Sequence, residues 1–120
     1  MYIRALRGAT TINNNTKEEI FSASEEMVEK LIAENGLNID DIASIIFTIT
    51  PDIDAAFPAA AVRKMGITNV PLLDVAQPYI VGALKMCLRV IIHFNSDNEN
   101  SELRHVYLNG AKILRPDLLK

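Results

Sequence analysis

The hydrophobic and polar positions along this chain follow two periods, one helical and one extended. Over residues 17–34 the apolar side chains recur near helical spacing, which predicts one long amphipathic helix. Thr16 and Glu19 fit a capping box, in which a hydroxyl and a carboxylate bind free amides at the helix start. Asn35 and Gly36 are a typical C-terminal stop, so the helix is expected to end there.

Apolar runs rich in β-branched residues and bounded by turn-forming residues predict the strands. The expected strands are residues 2–7, 43–50, 70–75, 86–94, 104–108 and 112–114. The run 86–94 is apolar on both faces, which is typical of a strand at the centre of a sheet. Asn109 and Gly110 form a tight-turn signal between the last two runs, so we expect those runs to pair as a hairpin.

Two shorter helical segments are expected between the strands. Pro58 suits the first position of a short helix that ends at Gly66, and residues 80–86 are expected to form a helical turn. Strands outnumber helices, and at least one strand–helix–strand segment is present. We therefore predict an α+β fold with a mixed β-sheet and one long outer helix, and we expect residues 1–120 to form a single domain.

Composition and charge argue against several functional classes. The net charge of −3 disfavours nucleic acid as a partner, and no apolar run approaches the ~20 residues of a membrane span. Residues 17–34 hold six acidic residues and two lysines, so the long helix is expected to turn a solvated face outward. The single cysteine, Cys87, rules out an internal disulfide framework and is expected to lie in the core. The N-terminus lacks a signal-peptide pattern, so the expected location is the cytoplasm.

Arg89 is the residue that a purely structural role explains least well. It lies inside the apolar run MCLRVIIHF, where a strand would place it on the same face as Cys87, Ile91 and His93. A buried guanidinium without a partner costs several kcal/mol, so a partner is required. The partner is either structural, as an acidic residue or a subunit contact, or it is a bound anion, because arginine presents a rigid donor fork that fits a carboxylate.

Arg7 raises the same question near the start of the chain. Strand alternation points its side chain the same way as those of Ile3 and Ala5. Gly8 follows it, and a glycine there would allow a sharp turn or the close approach of a ligand. Arg7 is therefore either a charged strand end or a second anion-binding group.

The other candidate residues are weak signals when taken singly. Arg63 and Arg115 are typical of solvated surface, and Tyr107 is typical of strand packing, although its hydroxyl could also serve a pocket. His93 and His105 are too isolated to indicate a metal site, and we find neither a glycine-rich phosphate loop nor a nucleophile elbow. Several arginines at or in strands, with the acids gathered on one helix, together suit a pocket for a multiply anionic small molecule.

Six segments of the chain also carry a family resemblance. They are IRALRGATT, TPDIDAAFPAAAVR, VPLL, GALKMCLRV, RHVYL and LRPDL. In this order and spacing they resemble the monofunctional chorismate mutases of the AroH type, from Ile3 to Leu118. The resemblance implies a homotrimer in which three mixed sheets pack into a pseudo-α/β barrel, with the long helices outside and the active sites between subunits. It also implies a pericyclic rearrangement of chorismate to prephenate, on the route to phenylalanine and tyrosine, that needs no cofactor or metal.

The resemblance assigns roles to residues at matching positions. It implies that Arg89 donates to the ether oxygen of chorismate and to a neighbouring carboxylate, that Arg7 grips a carboxylate, and that Tyr107 binds the pyruvyl carboxylate. Phe57 and Arg63 would line the mouth of the cleft. Two further positions follow from the same match: Leu73 would contribute a backbone contact, and Arg115 would help to close the site.

This chain departs from the family pattern at three positions. Gln77 stands where the family has a glutamate that accepts a hydrogen bond from the substrate hydroxyl, and an amide oxygen is the weaker acceptor. Asp74 stands where a cysteine is frequent, so its carboxylate either replaces the lost charge or repels the substrate. Ala60 stands where some relatives have a lysine. Two rival functions therefore stay open: a trimeric imine deaminase of similar architecture, and a non-catalytic dicarboxylate-binding homologue of the same fold.

Overall fold

A mixed sheet of five strands forms the centre of the fold in the computed structural model, which describes residues 1–97 and 102–114. The strands are β1 Tyr2–Thr11, β2 Ile42–Ile49, β3 Leu72–Ala76, β4 Cys87–Ser96 and β5 Val106–Tyr107. Their order across the sheet is β3-β2-β4-β1-β5. β4 is antiparallel to β1 and β2, whereas β3 pairs in parallel with β2 and β5 with β1. The predicted α+β class and the central place of β4 are confirmed.

Two α-helices, α1 (Lys17–Asn35) and α2 (Pro58–Lys64), begin and end close to where the sequence predicts. The Thr16 hydroxyl accepts a hydrogen bond from the Glu19 amide at 3.2 Å, and Gly36 ends α1 with a left-handed φ of 58°. The Glu19 carboxylate binds two amides of the preceding loop, not the Thr16 amide that a capping box would supply. In the described part of the chain, no helix is long and apolar enough to cross a membrane.

The hydrophobic core lies between the two helices and one face of the sheet. α1 buries Ile20, Met27, Val28 and Leu31 against the strands, and its acidic side chains point mainly toward solvent, as predicted. The strands contribute every second residue to this core: Leu6, Ile45, Phe47, Leu88, Val90, Ile92 and Phe94.

Gly8 sets how closely α1 approaches β1. A Cβ atom at this position would lie 3.1 Å from Val90 Cγ1 and 3.2 Å from Leu31 Cδ1, so a larger residue fits only if the core moves. The sharp turn considered for Gly8 is wrong, because β1 continues through it to Thr11. The glycine allows close helix packing. Because β1 is long, Arg7 lies in the middle of the strand and not at its end.

The hairpin predicted for residues 104–108 and 112–114 is wrong. Only Val106–Tyr107 is a strand, it pairs in parallel with β1, and Asn109–Leu114 forms a 3₁₀ helix. Hydroxyl groups of β1 provide the reason, because the Asn109 side chain donates to the Thr10 hydroxyl and the Gly110 amide donates to the Thr11 hydroxyl. These bonds hold the turn residues against β1, so the chain does not fold back along β5.

Residues 80–86 form turns and bends, so the helical turn expected there is also wrong. One turn closes through a hydrogen bond from the Ala83 amide to the Ile80 carbonyl at 3.0 Å. Gly82 follows within it at a φ of 81°, a left-handed conformation that does not continue a helix. The segment is part of the connection from β3 to β4.

The second face of the sheet, which we call the uncovered face, packs against neither α1 nor α2. It carries the alternate residues of each strand, including Arg7 of β1 and Arg89 of β4. Two of its large apolar side chains are strongly exposed, Ile3 at 76% and Leu73 at 56%. The arginines that the sequence singled out therefore lie on a partly apolar surface outside the core.

Candidate active site

Two rows of side chains cross the uncovered face at the middle of the sheet. The first row runs through Val75, Thr48, Arg89, Ala9 and Tyr107, each opposite the next in strand register. The second row consists of Leu73, Ile46, Ile91 and Arg7. Opposite residues on paired strands present their side chains to the same face with Cβ atoms about 5 Å apart. Arg7 and Arg89 thus lie diagonally across one strand pair.

A cavity of about 510 Å³ lies over these rows, within the range that is usual for small-molecule sites. The four predicted catalytic residues line it together: Arg7, Gln77, Arg89 and Tyr107. Apolar side chains of β2, β3 and β4 complete its wall. Among the described residues, the lining contains two arginines and no carboxylate, so the cavity is electrostatically suited to an anion.

Three buried polar atoms in the described part of the chain lack a hydrogen-bond partner, and all three belong to residues of this cavity. They are Arg89 Nε, Gln77 Oε1 and Thr48 Oγ1. Buried polar atoms nearly always have partners in folded proteins, and each one left alone costs about 1–3 kcal/mol. Two groups able to donate and one acceptor in this cavity therefore have hydrogen-bonding capacity that the described residues do not use.

The structural explanation of the arginines by a carboxylate partner finds no support among the described residues. Over residues 1–97 and 102–114, neither Arg7 nor Arg89 forms an ion pair with an acidic side chain. Arg89 lies near the Cys87 thiol and lowers the pKa of that thiol, but burial has the larger effect and raises it overall. Cys87 is thus a buried neutral thiol, as expected. In the same ranges, no three His, Cys, Asp or Glu side chains come together as a metal site.

A hydrogen-bond network fixes the start of β4, two residues before Arg89. The Thr50 hydroxyl donates to the Asp52 carboxylate and accepts from the Cys87 amide at 3.0 Å. Asp52 also accepts from the Met86 amide at 3.0 Å. Desolvation raises the pKa of Asp52, but the bonds from Thr50 and Met86 outweigh it and hold this pKa below its ordinary value. The ionised carboxylate therefore ties the loop after β2 to the strand that carries Arg89.

A second link fixes Arg7 to the strand that carries Tyr107. The Arg7 amide donates to Nδ1 of His105 at 3.0 Å, just before the two residue pairs that join β1 and β5. His105 therefore extends a very short parallel ladder by one bond. Sequence reasoning dismissed His105 and did not single out Thr48, since neither belongs to a local motif and both are recognised only from strand pairing.

The remaining predicted site residues that the structure describes do not line the cavity of this single chain. Phe57, which caps α2, is 68% exposed, and Arg63 is exposed on the same helix. Leu73 lies on the uncovered face beside the cavity without lining it. Arg115 falls outside the described residues, so the structure does not test its role. These side chains are available to a neighbouring molecule.

Asp74 lies on the opposite side of β3 from the cavity and contacts α2. Its carboxylate accepts a hydrogen bond from the Ala59 amide at 3.0 Å, in the first turn of that helix, where negative charge is favoured. Burial raises the pKa of Asp74, and the Ala59 amide and the Arg63 charge offset this only in part. Within this chain the side chain holds α2 against β3 and does not take the place of a cavity carboxylate.

Comparisons with known proteins agree on one family. The profile of the family described as chorismate mutase type I matches residues 3–118. A relative named chorismate mutase AroH, from Bacillus subtilis (strain 168), is 40% identical over 119 residues, which is 98% of this chain and 94% of the relative. A second relative of that name, from Thermus thermophilus, is 40% identical over 117 residues, or 97% of this chain and 96% of its own. A solved structure, a chorismate mutase from Clostridium thermocellum, superimposes with a TM-score of 0.90 at 46% identity, covering 92% of this chain and 98% of that one.

The contact between Asp74 and α2 predicts a change in the pH dependence of stability. A carboxyl group whose pKa is raised in the folded state favours folding below its unfolded pKa, and this contribution is lost as the pH rises through the folded pKa. Asp74→Asn keeps an oxygen that accepts from the Ala59 amide and removes the partly desolvated charge. We expect this variant to be at least as stable as the parent at pH 7, with a smaller fall in stability from pH ~4 upward.

Urea unfolding at several pH values measures this effect, with Asp74→Ala as the matched control that loses both the charge and the acceptor. The alanine variant should be less stable than the parent by about 0.5–2 kcal/mol, the usual value of a helix cap. If Asp74→Asn is as unstable as Asp74→Ala at pH 7, the ionised carboxylate itself is required and the assignment of Asp74 is wrong.

Proposed function

The chain belongs to the chorismate mutase type I family, and from this premise we propose how its own residues act on chorismate. It is an isomerase that rearranges chorismate to prephenate, a step in the formation of aromatic amino acids. The substrate is a flexible dicarboxylate with a ring hydroxyl and an ether bridge. Among the described residues, the cavity contains no carboxylate and two arginines that form no ion pair, which suits such a molecule.

The observation that carries the proposed mechanism is the unpartnered Nε of Arg89 inside the cavity. We propose that Arg89 donates to the ether oxygen as its bond breaks and negative charge develops there, and also to a neighbouring carboxylate. Arg7 grips a carboxylate, Tyr107 binds the pyruvyl carboxylate, and the Gln77 amide oxygen accepts from the ring hydroxyl. Together these groups hold the substrate in its compact reactive conformer.

These contributions are adequate in size for the reaction. A rate gain of ~10⁶ needs about 8 kcal/mol of transition-state stabilisation. One preorganised donor at a developing oxyanion typically supplies about 3–4 kcal/mol, and conformer selection can supply a similar amount. The rearrangement is intramolecular, so neither a nucleophile nor a proton transfer is required of the protein.

We propose that the active form is a homotrimer and that the missing part of each site comes from the neighbouring subunit. Phe57, Arg63 and Leu73 are exposed in the single chain although the family match assigns all three to the substrate cleft. The exposed apolar residues of the uncovered face, including Ile3, favour association over exposure to water. Asp74 then serves the site indirectly, because it holds the helix that carries Arg63.

The proposal also covers the C-terminal arginine, the domain organisation and the location of the protein. Arg115 is proposed to help close the site, on the family match alone. Residues 1–120 are proposed to form one domain, because the larger hydrophobic cluster of the described residues joins both helices and the sheet. The cytoplasm is proposed as the location, which agrees with a chain whose one cysteine stays a free thiol.

Loss of turnover on removal of the Arg89 guanidinium is the first test of this mechanism. We expect Arg89→Ala to lower kcat/KM for chorismate by at least 10²-fold, because it removes the donor to the breaking bond. The assay follows the loss of chorismate absorbance in the ultraviolet. Arg104→Ala is the control, since Arg104 is an exposed arginine outside the cavity. Turnover that survives Arg89→Ala would refute the assigned site.

Complementation between subunits tests the shared site. Co-expressed Arg89→Ala and Arg63→Ala chains should form mixed trimers, each with one intact site of its three. For random assembly this gives about a quarter of the parent activity. Each variant alone should be impaired. Arg89→Ala mixed with Arg7→Ala is the control and should recover nothing, because both arginines belong to the same chain's wall. Absence of recovery in the first mixture would place Arg63 outside a shared site.

Gln77→Glu tests the departure from the family pattern. We expect a higher kcat, because a carboxylate accepts the substrate hydroxyl more strongly than an amide does. Gln77→Leu, which removes the acceptor at similar size, should lower kcat and serves as the reference. An unchanged or lower kcat for Gln77→Glu would mean that the amide is not a weakened acceptor.

A further inference from the structure

We infer that Thr48 is a further substrate-binding residue, whose hydroxyl donates to the substrate oxygen that Arg89 Nε also serves. This inference deepens the proposed function and rests on the proposed position of the substrate at Arg89. Thr48 is not among the residues that the family match assigned to the site. The inference stands on strand register, burial and the absence of an alternative partner.

Strand register places Thr48 beside the proposed reacting centre. Thr48 lies directly opposite Arg89 on the antiparallel pair β2–β4, and both residues line the cavity. Side chains of opposite residues in antiparallel strands share a face and are close enough to serve one ligand atom. On its other flank Thr48 is opposite Val75, two residues before Gln77. Thr48 Oγ1, Arg89 Nε and Gln77 Oε1 thus belong to one cavity, and none of the three atoms has a hydrogen-bond partner among the described residues.

The unsatisfied state of Thr48 is unusual within this molecule. Other hydroxyl groups in similar surroundings have partners: Ser24 donates to the Ile20 carbonyl at 2.6 Å, and Ser44 lies 3.0 Å from Nδ1 of His93. Thr48 Oγ1 is buried, yet no group in the described residues bonds to it. A buried hydroxyl without a partner is costly, which points to a partner that arrives with the ligand.

The chemistry of the three unpartnered atoms decides which partner this is. Arg89 Nε is a donor only and Gln77 Oε1 is an acceptor only, whereas a hydroxyl can do either. The substrate brings ether and carboxylate oxygens, which only accept, near Arg89, and its single hydroxyl is already taken by Gln77 in the proposed mechanism. Thr48 therefore donates, and it shares an acceptor oxygen with Arg89. A second donor at this oxygen would spread the developing charge over two groups.

Thr48→Val tests the inference, because valine has nearly the shape of threonine without the hydroxyl. We expect kcat/KM for chorismate to fall about tenfold, the usual effect of removing one donor to a charged group. Thr48→Ser keeps the hydroxyl and should stay within about threefold of the parent. Ser44→Ala is the matched control, since Ser44 lies on the same strand and face but outside the cavity. Titration of prephenate by calorimetry gives a second readout that does not depend on turnover.

The outcomes separate the inference from the mechanism on which it rests. Kinetic loss in Thr48→Val with rescue in Thr48→Ser, at unchanged molar mass and melting temperature, supports substrate binding by Thr48. Parent-like kinetics in Thr48→Val would overturn the inference about Thr48. If Arg89→Ala still loses activity in the same experiment, the proposed site around Arg89 stands without Thr48. Kinetic loss together with a lower molar mass would assign the hydroxyl to a subunit contact and would also overturn it. Turnover that survives Arg89→Ala would instead reject the site as a whole.

Discussion

The organisation of this molecule depends on one constraint, which is the cost of keeping polar groups without partners in a sheltered place. Arg89 Nε, Gln77 Oε1 and Thr48 Oγ1 are buried atoms of residues that line the cavity of the uncovered face, and none of them has a hydrogen-bond partner in the part of the chain that the structure describes. Each such group lowers the free energy of unfolding of the ligand-free protein by about 1–3 kcal/mol, which is comparable to the effect of a typical destabilising point mutation. In the proposed mechanism, the bound substrate supplies the missing bonds.

The two faces of the sheet have different roles: one packs against the helices and forms the core, and the other carries the cavity. The core between the sheet and the helices uses one set of alternate residues, and Gly8 allows α1 to pack closely there. The other set, which includes Arg7 and Arg89, is left for the site. Because alternation fixes which face each residue joins, the same strands supply a well-packed core and a charged wall without conflict. The network from Thr50 through Asp52 then keeps the charged strand in place.

Sequence reasoning succeeded where the signal is local and failed where it depends on pairing between distant strands. The caps of α1 and the apolar run around Arg89 carry their own evidence, so the long helix and the central strand were predictable. Asn109 and Gly110 are a good hairpin signal, yet both form hydrogen bonds to hydroxyl groups of β1. A local sequence pattern does not show these bonds, because their partners lie far away in the chain. Thr48 was missed for the same reason, because its importance comes from lying opposite Arg89.

The charge of the side chain at position 77 is expected to affect substrate affinity and the rate of the chemical step in opposite directions. At the effective permittivity of about 20 that suits protein sites, two like charges about 8 Å apart repel by about 2 kcal/mol. That is similar to the extra strength of a charge-assisted hydrogen bond. In the proposed mechanism, a neutral Gln77 in place of a glutamate would remove a repulsion that the dianion feels in the ground state and the transition state alike, which favours binding. The weaker acceptor, in contrast, loosens the orientation on which the reactive conformer depends. On the proposed mechanism, Gln77 should thus favour binding of the substrate at the expense of its turnover, while the roles proposed for Arg7 and Arg89 are unchanged.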